Sequence, residues 1–304
     1  MKKIIYILAF LAVSFTAGAQ ALPFTAVDYD PVAMGKGGTF LTETSSSCYA
    51  VFGNPAAVPF GSGTADWACS YTVWQPSGAK SDIMTTAASY LIRKKIGVSL
   101  GVSYGKGTPY DIVDASGMPG GSFTPDDLQA RLGLSWKFLP FLSVGANVGY
   151  ASSRLAEGAS YGAMTADVFA MAKFSGLKAT AGVRGLGTAV KSVSGASFSL
   201  PAAVVAGVGY ELALGEKSLV DVNVDAQYHI EGGVAVAGGA SYTFARLATV
   251  RAGYRYGGDT VIPSYASVGV GVALFGAHID FAYLIAGKDS PMAGTLCLSA
   301  GWGF

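Results

Sequence analysis

Charge is scarce in this chain: Asp, Glu, Lys and Arg make up 13% of 304 residues, and the net charge is +1. So small a balance offers neither a basic field for nucleic acid nor an acidic one for cationic partners, and no nucleic-acid partner is expected. Cysteine numbers three and histidine two. An odd cysteine count in an exported chain argues against a closed disulfide framework, so the cysteines read as free thiols. Long apolar runs are missing as well. Beyond the first 19 residues no uninterrupted stretch approaches the roughly 20 residues that a spanning helix needs. Yet 51% of the residues are hydrophobic, 42 are glycine and the mean hydropathy is +0.42, which is too apolar for an ordinary soluble surface. The spanning structure that remains is a closed β-barrel, because hydrocarbon provides no partner for an unpaired strand edge.

The one long apolar run is N-terminal. Lys2 and Lys3 precede Ile4 to Phe15, and Ala17-Gly18-Ala19 follow. This is the layout of a signal peptide over residues 1–19, with a mature chain starting near Gln20. The first cysteine, Cys48, lies too far from that point to carry a lipid anchor.

What fills the rest is alternation. In Val220 to Glu231 the residues Val220, Val222, Val224, Ala226, Tyr228 and Ile230 share one face, and Asp221, Asn223, Asp225, Gln227, His229 and Glu231 share the other. A period of 2 is that of a strand with two different environments. Leu128 to Phe138 and Ala248 to Tyr256 sort in the same way, and Cys69 and Cys297 fall on opposite faces of their strands. In a barrel the apolar face meets lipid. Counting such segments from residue 66 to residue 304 predicts an all-β, transmembrane, antiparallel barrel of about 14 strands.

Short connections at Arg93-Lys94-Lys95, Leu139-Pro140, Ser175-Gly176, Gly215-Glu216-Lys217, Ala245-Arg246 and Phe275-Gly276 alternate with mostly longer ones. Short turns belong to the periplasmic side, which places both termini in the periplasm. Trp302 and Phe304 on the last strand read as a signal for the barrel assembly machinery. Trp67, Trp74, Tyr104, Tyr150, Tyr210 and Trp302 near strand ends suit aromatic girdles in outer-membrane lipid.

Residues 20–64 do not alternate. They carry Asp28-Tyr29-Asp30-Pro31, Gly35-Lys36-Gly37-Gly38 and Gly53-Asn54-Pro55-Ala56-Ala57. Many inward strand positions are small, among them Gly133, Gly145, Gly149, Gly182, Gly253, Gly269 and Gly271. An N-terminal hatch or plug over 20–64 followed by a barrel over 65–304 is expected. Gly35, Gly37, Gly38, Asn54, Pro55 and Ala56 would form the hatch motif.

The run Met34 to Phe40 followed by Ser45 to Ala56 resembles the glycine-rich stretch and Asn-Pro-Ala signature of the FadL/PorV superfamily. The stretch Gly176 to Tyr210, with Arg184-Gly185-Leu186-Gly187 and Leu200-Pro201, is similar to the PorV/PorQ branch. That resemblance implies fourteen strands, an N-terminal hatch, and partners among type IX secretion components and exported cargo. The alternative it implies is FadL-like passive transport of a small hydrophobic ligand. The external loops are too short and too poor in apolar residues for the capture groove of fatty-acid transporters.

No enzyme is expected. Gly101-Val102-Ser103-Tyr104-Gly105 has the spacing of a nucleophile elbow, but it lies inside a strand pattern with no helix after it. Asp221-x-Asn223-x-Asp225 imitates a calcium loop, yet Ala226 stands where glycine is needed and Gly232 where the closing Glu belongs. The Gly35-Lys36-Gly37-Gly38 run lacks the spacing of a phosphate loop. No metal and no cofactor are therefore expected. The inward polar set Arg131, Arg184, Asp221, Asn223, Asp225, His229, Glu231, Arg251, Arg255 and Asp280 has both charge signs and must pair or be hydrated. Lys137 and Lys178 face the same way. The set reads as a network bracing the barrel against its hatch or, functionally, as a polar binding or conduction site.

Overall fold

The computed structural model describes residues 20–304 apart from 77–78, 114–117, 192–194, 259 and 261; the signal peptide expected over 1–19 lies outside the described residues. Fourteen antiparallel strands close into a barrel. They are β1 Ala65–Trp74, β2 Ser81–Ile92, β3 Ile96–Gly107, β4 Asp126–Leu139, β5 Leu142–Ala156, β6 Ala159–Phe174 and β7 Leu177–Gly187. The second half comprises β8 Ala203–Leu214, β9 Ser218–His229, β10 Gly233–Phe244, β11 Ala248–Tyr256, β12 Tyr265–Leu274, β13 Ala277–Ile285 and β14 Leu296–Gly303. Each strand pairs with its sequence neighbour, and β14 pairs with β1 from Asp66 opposite Gly303 to Val73 opposite Leu296. Closure leaves no strand edge in lipid.

Alternation places the side chains as expected. On β9 the valines are outward while Asp221, Asn223, Asp225 and Gln227 are buried inward. Around the middle of the wall the outward residues are mostly apolar and exposed, as Leu132, Leu134, Val208, Val250 and Val270 are. An outward apolar band on a sealed barrel makes the chain an integral outer-membrane protein. Trp67, Trp136, Phe138, Phe174, Phe244 and Trp302 ring the turn end, and Tyr71, Tyr104, Tyr150, Tyr254 and Tyr256 ring the loop end. Trp74 is a correction: it faces inward and packs with Tyr29, Ile83 and Met292, because it shares the parity of Ala68 and Thr72.

The tight connections use positive φ, with Arg93 at 50° and Lys94 at 55°, and Ala245 at 54° and Arg246 at 56°. Such paired left-handed residues match the right-handed twist of the flanking strands. At the other end, the connection after β3 continues as a small hairpin, Tyr110–Val113 against Pro119–Phe123, and the one after β7 pairs Val190–Lys191 with Ser197–Phe198.

Residues 20–64 lie inside the barrel as short helical turns, Pro23–Ala26, Pro31–Met34, Ser47–Val51 and Pro55–Phe60, joined by irregular chain. Two of these start on the same device. Asp30 precedes Pro31 and accepts from Val32 N at 2.8 Å; Asn54 precedes Pro55 and accepts from Ala56 N at 3.0 Å. The capping carboxylate or amide satisfies a free N–H, and proline sits where no N–H is needed. The placement of both termini in the periplasm needs correction. β1 does start at the turn end, but Ala21 N donates to Ser199 O at the loop end, so the chain descends through the lumen before its first strand.

Candidate functional site

The inward glycines make room for this segment. A Cβ on Gly253 would collide with the Lys36 carbonyl carbon and Gly37 nitrogen, one on Gly145 would meet Ala56 N at 2.6 Å, and one on Gly269 would meet the Gly35 Cα at 3.1 Å. Gly37 and Gly38 have φ of 76° and 80°, a region that side chains disfavour, and they turn the chain after Met34. Backbone therefore runs against backbone, and little space is left for anything between.

Polar side chains then tie the segment to β7, β8 and β9. Lys36, nearly fully buried, pairs with Glu43 of its own segment and with Asp221 Oδ2 at 3.0 Å. Asp221 Oδ1 also receives Lys178 Nζ at 2.7 Å, and Lys178 reaches Glu211 Oε1 at 3.1 Å. Lys173 Nζ closes the row on Glu211 Oε2 at 2.8 Å. Cations and carboxylates alternate along this row, so each buried charge has an opposite neighbour. Burial by itself would raise the Glu43 carboxyl, but the ammonium groups of Lys36 and Lys178 override it and hold Glu43 well below the usual carboxylate range.

Asn223 and Asp225 act on the segment's backbone and hydroxyls. Asp225 Oδ2 accepts from Phe40 N and Leu41 N, each at 2.9 Å, and Thr42 Oγ1 donates to Asn223 Oδ1 at 2.6 Å. Asn54 Nδ2 donates to Leu41 O at 2.6 Å, which links the Asn-Pro-Ala turn to the same strip of chain. The calcium-like spacing is thus a row of three inward β9 side chains, each bonded to a group it faces.

Two further pairs stand apart. Arg131 pairs with Asp167, whose other oxygen accepts from Gly185 N at 2.7 Å, at the point where the β6–β7 register shifts between Ala166 and Val168. Arg251 Nη2 meets Asp280 Oδ1 at 2.8 Å, and His278 lies between Asp280 and Asp66 at 3.4 and 3.2 Å. Arg184 stacks over the Phe40 ring at 4.6 Å and, among the described residues, has no ion-pair partner. Arg255 and His229 are buried inward at the loop end near it.

Glu231 does not belong to this set. β9 ends at His229, so Glu231 lies in the turn beyond it and accepts from Ser199 Oγ at 2.6 Å. Ser103 is mid-strand and inward, receiving Thr85 Oγ1 at 3.1 Å, with no turn to expose it. Lys36, Glu43, Asp66, Asp167, Glu211 and His278 were missing from the expected polar set. Strand parity marks Glu211, which lies in phase with Gly207 and Gly209; Asp167 is in phase with Phe169 and Met171, which read as packing residues.

Below the segment, at the turn end, a cavity of about 1090 Å³ is lined by polar groups that include Glu43, Asp66, Glu211, Arg246, Arg251 and His278. Above it, at the loop end, two apolar clusters pack beside Arg184, His229 and Arg255: Leu22 and Phe24 with Val190 and Leu200, and Tyr29 with Trp74, Ile262 and Met292. Residues 20–64 separate these two environments.

These features define an outer-membrane β-barrel whose lumen holds its own N-terminal segment. The fold is shared with FadL-like barrels. The toluene transporter TbuX of Ralstonia pickettii aligns over 90% of this chain and 98% of its own, with a TM-score of 0.60 and 12% identity. The toluene transporter TodX of P. putida gives 91% and 98%, a TM-score of 0.60 and 12% identity. A Pseudomonas aeruginosa FadL homologue covers 96% of this chain and 100% of its own, with a TM-score of 0.56 and 12% identity. Neither a family model nor a curated protein matches the sequence.

Proposed function

We propose that this protein is a gated passive channel for small hydrophobic molecules across the outer membrane, with residues 20–64 as its hatch. The observation that carries the reading is the arrangement just described: residues 20–64 packed on apolar side chains at the loop end, with a cavity of about 1090 Å³ beneath them at the turn end. Release of the segment would offer an apolar solute those loop-end contacts in place of water, and the cavity below lets it leave again. The likeness of the fold to the toluene transporters TbuX and TodX supports the same substrate class. Gly35, Gly37, Gly38, Asn54, Pro55 and Ala56 are the hatch motif in this reading, and the row from Lys36 to Lys173 is its fastening. Trp302 and Phe304 serve recognition by the barrel assembly machinery.

The test is uptake of toluene into vesicles that hold the full chain. Entry above that of protein-free vesicles, increased by Asp221→Asn, is expected; entry equal to the protein-free rate in both would sink the reading.

Two observations favour the secretion-accessory reading that the PorV/PorQ resemblance implies. The loop-end hairpin exposes Val113 at 60% and Met118 at 64%, and the wall is hydrogen-bonded all the way round, as a scaffold for cargo requires. The channel has the better support, because a scaffold needs no division of its lumen. Unchanged secretion of exported cargo after deletion of the gene removes the accessory reading.

A further inference from the structure

Charge on the outer wall is confined to one place. Among the described residues of the fourteen strands, the lipid-facing positions hold the charges Asp82, Lys106, Asp126 and Arg154. Asp82 is registered opposite Lys106, Lys106 opposite Asp126, and Asp126 opposite Arg154. They therefore form one alternating row across β2, β3, β4 and β5, at the loop end. At that level the other strands carry residues such as Tyr228, Tyr254 and Tyr283.

A charge facing lipid costs about 2–4 kcal/mol at the bilayer midplane and close to nothing at the interface. The row consequently marks where these four strands leave the hydrocarbon. Its two signs are not presented equally. Arg154 pairs with Asp126, and Lys80 Nζ pairs with Asp82 Oδ2 at 3.2 Å. Tyr71 Oη donates to Asp82 at 2.9 Å and Tyr104 Oη to Asp126 at 3.4 Å. The Asp126 side chain is 11% exposed against 62% for Arg154, and Asp82 is 37% exposed against 46% for Lys80. Asp126 is tied down beneath Tyr104, and the cations Arg154 and Lys80 stand further outward than the carboxylates they pair with.

We propose that this face binds a net-anionic, phosphomonoester-bearing lipid headgroup of the outer leaflet through Lys80, Lys106 and Arg154. Arg154 gives Nε and Nη2 to Asp126, which leaves its remaining N–H donors for a phosphate oxygen, and the two ammonium groups supply further positive charge. The carboxylates hold the cations in position, and the Tyr71 and Tyr104 rings pack at the acyl boundary. The proposal concerns the wall and is independent of what passes through the lumen.

The test places the full chain in phosphatidylcholine vesicles containing spin-labelled phosphatidic acid or spin-labelled phosphatidylcholine. Electron paramagnetic resonance then measures the fraction of each lipid held at the protein. One interfacial cation is worth about a five-fold gain in association with anionic lipid, so a several-fold preference for phosphatidic acid is expected. Lys106→Gln with Arg154→Gln should bring the preference close to parity, with the barrel's heat-modifiable gel mobility retained. Lys80→Gln, which lies outside the strands, should lower it partway, and Lys288→Gln, outside the row on the loop between β13 and β14, should leave it unchanged. Parity in the unsubstituted protein, or a preference that survives in both the double variant and Lys80→Gln, overturns the proposal.

Discussion

Lys36 and Asp221 are 185 positions apart in sequence, and their side chains meet at 3.0 Å inside the barrel. One belongs to the N-terminal segment and the other to β9, so the contact fastens the occupant of the lumen to the wall. Breaking a buried pair outright costs about 3–5 kcal/mol, and loss of Asp221 costs less than that because Lys36 keeps Glu43 and Lys178 keeps Glu211. Asp221→Asn should raise single-channel conductance in planar bilayers and expose the segment to protease, while the barrel stays folded.

Steric substitution should give the same outcome by another route. Gly253→Val places a branched side chain where the Lys36 carbonyl and Gly37 nitrogen now lie. Overpacking by this much costs about 1–3 kcal/mol. Increased protease cleavage between residues 20 and 64, with heat-modifiable gel mobility unchanged, is the expected reading.

Docking of the segment should depend on pH through its own carboxyls, Asp28, Asp30 and Glu43; burial raises Asp28 against the pull of Arg184 and Arg255. Burial, reinforced by the nearby Glu43 charge, pushes Asp30 up to about 7, against the opposing hydrogen bonds from Ser46 and Val32. The docked state therefore keeps a proton that a free carboxyl releases from about pH 4 upward, and docking weakens as pH rises through about 7. Glu43 acts in the opposite sense. It is held ionised when docked, so its contribution is lost as pH falls below the free Glu value of about 4.3. Protease protection of residues 20–64 should be greatest near the free carboxyl values of about pH 4 and decline up to about pH 7. Asp30→Asn should reduce the decline, and the remainder belongs to Asp28.

The Arg131–Asp167 pair allows a test of the wall itself. Both side chains are almost wholly buried, and Asp167 also receives the Gly185 N–H at the β7 irregularity. Arg131→Leu should destabilise the barrel by about 3–5 kcal/mol, read as a lower urea midpoint in lipid vesicles. Combining it with Asp167→Leu should recover much of that loss, since no unpaired charge then remains.

Alternation alone determined the barrel. The two faces of Val220 to His229 face lipid and lumen as their polarity dictates, and the short turns separate turn end from loop end, because a period of 2 is a local property of the chain. The Asn54-Pro55-Ala56 turn and the small inward glycines were legible for the same reason: each records a local backbone need. Ion-pair partners were not legible. Arg251 and Asp280 are both inward by parity, yet only closure and register bring them to 2.8 Å. Lys36 and Glu43 lie in a stretch with no period, so nothing local assigns them a facing residue, and the descent of the chain from Ala21 at the loop end to β1 at the turn end is equally silent in sequence. Strand polarity is set by neighbours one and two residues away, whereas a charge network is set by distances that exist only after the sheet has closed around the segment.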